Sequence, residues 1–156
     1  MKLSKAIVSI LFLQFFSVVS FSQQNQNKEF EKCKGKLPYP VCSVYKYIDV
    51  DCKKCDVSPS PYTVAFRTDS AAEVRAVHDG YVAKIFPVED GYAIVTRFGD
   101  YYITYYPIVV PTLKKGDPIF SGQPMSKVSS SDHPAELNIL MSKATTFIDP
   151  SKWFKW

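Results

Sequence analysis

Histidine is nearly missing from this sequence: two residues in 156, His78 and His133. A catalytic zinc site takes about three protein ligands, mostly His and carboxylate. Two histidines therefore leave little from which to build one. Like-charge runs are also missing. Lys and Arg are scattered, which excludes a basic stripe able to track a phosphate backbone. No window has the spacing of a long amphipathic helix. No apolar run is long enough and clean enough to be a membrane span, because Gln14 and several serines interrupt the first one. No nucleophile elbow is present, since Ser129-Ser130-Ser131 has the composition of a loop. Asp69, Glu73, Asp79 and Glu136 form no evident acid–base pair.

The present features begin at the N-terminus. Lys2 and Lys5 precede an apolar run from Ala6 to Phe21, and small Ser20 and Ser22 stand before Gln23. This predicts a secretory signal peptide over residues 1–22. No cysteine marks the cleavage point for a lipid anchor. Removing 22 residues from 156 leaves 134, enough for one domain. The net charge of +4 includes two signal-segment lysines and no acid there, so about +2 remains. The expected location is secreted or periplasmic, in a bacterial envelope.

Four cysteines cluster in one stretch: Cys33, Cys42, Cys52 and Cys55. In an exported chain an even set predicts two disulfides, with three possible pairings. Zinc binding by Cys52-Lys-Lys-Cys55 is the rival, but no second close pair accompanies it. A redox Cys-x-x-Cys would need a βαβ pattern that is not there. Residues 23–31 read as polar and mobile. Residues 23–60 as a whole form a cysteine-rich segment too poor in apolar residues to fold alone. It needs its disulfides or packing against the main domain.

From residue 61 onward the hydrophobic period is two. Strands are expected at Tyr62–Phe66, Glu73–Ala76, Tyr81–Val88, Tyr92–Arg97, Tyr101–Ile108 and Glu136–Met141. Val82, Lys84 and Phe86 are expected on one side of their strand, with Tyr81, Ala83 and Ile85 on the other. Glu89-Asp90-Gly91 and Gly99-Asp100 are turn signals. Asp149-Pro150 reads as a cap and first position of a short C-terminal helical turn. The fold class is all-β, a sandwich or barrel.

Three stretches together resemble the lysostaphin-type (LytM-like) zinc endopeptidase domain, which cleaves peptidoglycan cross-bridges. One is Val74 to Val82, with Ala76 and Asp79-Gly80. Another is Tyr101 to Tyr105 followed by Gly116-Asp117-Pro118-Ile119 and Gly122-Gln123-Pro124-Met125. The third is Glu136-Leu137-Asn138 with Asp149-Pro150 and Trp153. The match covers residues 61–156. It implies a sandwich/barrel hybrid (a duplicated hybrid motif, similar to glucose-permease IIA). The Leu113–Met125 stretch is also similar to lipoyl and biotinyl domains, but it has no Met-Lys-Met.

The resemblance places the family's metal ligands and catalytic histidines on Pro61, Ala65, Pro107, Glu136 and Asn138. None holds the expected residue, which implies a degenerate member with no metal and no cofactor. Its implied role is binding peptidoglycan or an envelope protein partner such as a cell-wall hydrolase. Neither nucleic acid nor a membrane span after signal cleavage is expected. The binding positions would be Pro61, Ala65, Phe98, Tyr105, Pro107, Glu136 and Asn138. Two alternatives remain: an active zinc endopeptidase with non-standard ligands, and a secreted interaction module whose disulfide-stapled segment does the work.

Overall fold

The computed structural model describes residues 22–42, 44, 46–50, 63–129 and 134–156. The signal segment up to residue 21, Cys52, Cys55, Pro61 and His133 lie outside the described residues. A helix, α1, covers residues 22–31. Ten strands follow: β1 (Lys46–Val50), β2 (Thr63–Thr68), β3 (Glu73–Arg75), β4 (Gly80–Val88), β5 (Gly91–Phe98), β6 (Tyr101–Ile108), β7 (Pro118–Ile119), β8 (Pro124–Lys127), β9 (Ala135–Lys143) and β10 (Thr146–Ile148). A 3-10 turn at Pro150–Lys152 closes the chain, capped by the Asp149 side chain, which accepts from the Ser151 N–H.

The main antiparallel sheet runs β1-β2-β9-β6-β5-β4-β7, with β10 beside β9. Strands β3 and β8 make a second, two-stranded sheet. The strand alternation decides which residues enter the core. In β9, Ala135, Leu137, Ile139 and Met141 are buried, and in β6, Tyr101, Ile103 and Tyr105 are buried. Tyr105 is wholly enclosed, and its hydroxyl accepts the Val77 N–H at 3.2 Å. Burial pushes its phenol up to about 12.

Two expectations are corrected here. Strict alternation fails in β4, because a bulge between Val82 and Lys84 shifts the register. Val82 is buried and Ile85, rather than Phe86, packs on the core. Residues 23–31 are not a mobile tail but α1, which is docked on the sheet. The apolar period is missing because one side chain, Phe30, does the packing. Its ring is wholly buried against Tyr101 (4.5 Å between centroids), His78 (4.8 Å) and Trp153 (4.9 Å). His78 is thus half-buried in an aromatic stack rather than solvated, with its Nδ1–H donating to the Asp79 carbonyl at 2.8 Å.

Polar contacts complete the dock. Gln23 and Asn27 donate to the two oxygens of Asp100 at 2.6 and 2.8 Å. Asn27 also accepts from the Asp100 N–H at 2.8 Å. Glu31 accepts from the Tyr101 hydroxyl at 2.6 Å and from Lys143 at 2.7 Å. The bond from Lys143, then that from Tyr101, holds the Glu31 carboxyl below the usual carboxylate range. The same Glu31 bond, first among its causes, raises the Lys143 ammonium.

Leu37 and Val41 join the same buried cluster as Phe30, and Leu37 bridges to Phe154. Strand β1 extends the sheet edge along β2. Cys33 and Cys42 are free thiols, and no disulfide links them.

Candidate functional site

The site is built on the sheet face opposite Tyr101, Ile103 and Tyr105. Strand pairing aligns Ala65 of β2 with Asn138 of β9, and Asn138 in turn with Tyr106 of β6. Directly paired residues share a face. One step of two residues toward the start of β9 pairs Arg67 with Glu136. Their side chains meet, Arg67 Nε donating to Glu136 Oε1 at 2.9 Å. In the other direction the face continues through Thr104 and Leu140 to Tyr102 and Ser142. It then crosses to Arg97 of β5 and Tyr81 of β4.

Of the positions expected from sequence, the structure brings Ala65, Glu136 and Asn138 together on this face. Pro107, half-buried, follows Tyr106 at the same end of β6. Phe98 and Tyr105 do not join them. Phe98 packs beside His78 (4.6 Å) and Phe30 (6.2 Å), and Tyr105 points into the core. Alternation explains Tyr105: it is one residue from Tyr106 and so on the other face. Arg67 is the member that sequence reading missed. Its signal was available, since Arg67 and Glu136 are displaced by the same two residues, in opposite directions, from Ala65 and Asn138.

No protein-family model matches this sequence, and no curated protein matches it. Solved structures do. Helicobacter pylori Csd3 superposes with a TM-score of 0.61 at 18% identity, covering 77% of this chain and 35% of that one. A zinc-containing peptidase from Vibrio cholerae gives 0.57 at 18% identity, over 71% of this chain and 37% of that one. The M23 metalloprotease pseudoalterin, from the deep sea, gives 0.54 at 11%, over 72% and 73%. The fold is that of an M23 peptidase domain. The chain spans about a third of the length of the first two relatives.

An M23 fold implies a zinc ion, and the residues described at this site do not fit one. Ala65 offers a methyl group and is wholly buried. Asn138 offers only an amide oxygen, a poor zinc donor. The carboxylate of Glu136 is engaged by a guanidinium, whose fixed positive charge beside it repels a second cation. Among the described residues, no three His, Cys, Asp or Glu side chains gather closely enough to hold a metal. The arrangement offers instead paired charges, an amide and the rings of Tyr102 and Tyr106, all half-buried, on one sheet face. Such groups can bind a polar ligand by hydrogen bonds and ring contact. No helix among the described residues is long and apolar enough to cross a membrane.

Proposed function

We propose that this chain is an exported, non-hydrolytic relative of the M23 peptidases that binds peptidoglycan through the sheet face carrying Arg67, Glu136 and Asn138. The observation that carries the reading is the Arg67–Glu136 pair beside Ala65 and Asn138. The pair lies one cross-strand step from Ala65 and Asn138, two positions onto which the resemblance would map metal ligands, and its guanidinium disfavours a cation beside Glu136. The fold itself supports a cell-wall ligand: lysostaphin, described as an antimicrobial peptidase, shares it at a TM-score of 0.51 and 20% identity. The signal-like segment at residues 1–22 supports export.

Two residues of opposite charge suit a peptide ligand better than a bare glycan. Arg67 can exchange its partner for a ligand carboxylate or carbonyl, and Glu136 for a ligand amide N–H. The experiment is co-sedimentation of the purified protein with insoluble peptidoglycan. The reading expects pelleting that falls several-fold when Arg67 and Glu136 are both replaced by Ala. A wild-type protein that stays in the supernatant contradicts it.

A further inference from the structure

About 13 Å along β6 from Tyr106, at 3.3 Å per residue, the same face carries a second cluster. The cross-strand row Tyr81–Arg97–Tyr102 places one guanidinium between two tyrosines. Its central carbon lies 5.3 Å from the Tyr102 ring centre and 5.9 Å from that of Tyr81. Arg97 Nε is fixed by donation to the Gly99 carbonyl at 2.6 Å. These three contacts hold the guanidinium in one orientation. Among the described residues Arg97 forms no ion pair. The row borders a depression of about 300 Å³, lined also by Val82, Ala83, Lys115 and Gly116. The lining holds two cations and no acid. Asp117, which follows Gly116 in the same turn, accepts from the Lys114 N–H at 2.8 Å.

We propose that this depression is a carboxylate-binding subsite, with Arg97 as the bidentate anchor and Lys115 as a second charge. A tyrosine lies beside the guanidinium on each neighbouring strand, and Nε is taken by the Gly99 carbonyl, which leaves the Nη groups for a ligand. A planar carboxylate matches that pair with two parallel N–H···O bonds. A tetrahedral phosphate matches it less well. The volume is at the small end of ligand pockets and suits a terminal residue or one acidic side chain. The inference deepens the proposed function by naming a group the ligand must carry, and it rests on the same face being the binding surface.

The test is a heteronuclear NMR titration of the full purified protein with acetyl-alanyl-alanine and with its C-terminal amide. A third probe, acetyl-alanyl-glutamate amide, carries the acid on a side chain and distinguishes the two sources of carboxylate. The expected result is shift changes at Tyr81, Arg97, Tyr102 and Lys115 with either acid and none with the amide. Affinity should fall at least ten-fold in Arg97→Gln, fall less in Lys115→Gln, and weaken with added salt. Lys115 is exposed, so its variant tests the site even if Arg97→Gln fails to fold. Equal response to acid and amide, shifts confined to other residues, or equal competition by inorganic phosphate would overturn the assignment. The small probes report independently of the pelleting assay. Peptidoglycan binding unaffected by Arg97→Gln, with no probe response, sinks the subsite alone. Probe binding without pelleting sinks the peptidoglycan reading alone.

Discussion

Replacing Phe30 by Ala tests how α1 is held. The ring is wholly buried and touches four others, those of Tyr101, His78, Trp153 and Phe98. Truncating such a phenylalanine removes its transfer free energy and leaves a cavity, together about 3–5 kcal/mol. The offset contacts with Tyr101 and Trp153 place it in the upper half of that range. The hydrogen bonds of Gln23, Asn27 and Glu31 persist only while the helix stays docked. The loss is therefore capped at the docking energy of α1, and Phe30→Ala should cost nearly as much as deleting residues 22–31. Urea unfolding, followed by tryptophan fluorescence because Trp153 sits against Phe30, reads the change directly. A domain of this size is stable by about 5–15 kcal/mol, so the midpoint should fall by a quarter or more. A loss under about 1 kcal/mol, or a helix deletion far costlier than Phe30→Ala, would refute the argument that one ring anchors the helix.

Three further outcomes follow from the geometry. The phenol of Tyr105 is pushed from 10.0 up to about 12, so the folded state keeps a proton the unfolded state has lost. Its stability should hold below pH 10 and then decline by about 1.4 kcal/mol per unit up to about pH 12. A Tyr105→Phe protein, compared by urea titration at each pH, should lack that step. The carboxyl of Glu31 is held below its usual range, so its contribution is present at neutral pH and lost as acid takes pH down through its folded value. The protection factors of the α1 amides, corrected for the intrinsic exchange rate at each pH, should fall on acidification, and Glu31→Gln should remove most of that dependence. Gly99 has φ +59 and lies against Asn27. Gly99→Ala should push the Asn27 carboxamide off Asp100, destabilising by about 1–3 kcal/mol, with a calorimetric melting temperature lower by several degrees.

Much of the sheet was legible from the sequence because alternation and turn chemistry act locally. The Tyr101–Ile108 strand has the expected bounds, and the Asp149 cap and Pro150 start sit as the sequence suggests. The β4 faces were not legible. A bulge depends on how the partner strand aligns, and β5 lies across a turn from it. Helix α1 was hidden for a different reason. Its docking face, Gln23, Asn27, Phe30 and Glu31, has helical spacing but only one apolar member, so a hydrophobicity pattern cannot see it. Which of the expected positions share a sheet face was legible only in part. Resemblance named Ala65, Glu136 and Asn138, which register puts on one face, whereas Arg67, Arg97 and Tyr81 join that face only through the register itself. Tyr105 was assigned by nearness in sequence, which strand alternation overrides, and Phe98 was assigned with the former site but packs beside Phe30 and His78.

The central claim is that the face carrying Ala65, Asn138 and the Arg67–Glu136 pair binds a ligand without holding a zinc ion. The most direct measurement is the metal content of the purified protein after incubation with excess zinc and desalting, read beside soluble fragments released from peptidoglycan. The account predicts no stoichiometric zinc and no fragments above the buffer control. One zinc retained per chain and lost in Glu136→Ala, with fragment release that a chelator stops, would contradict it.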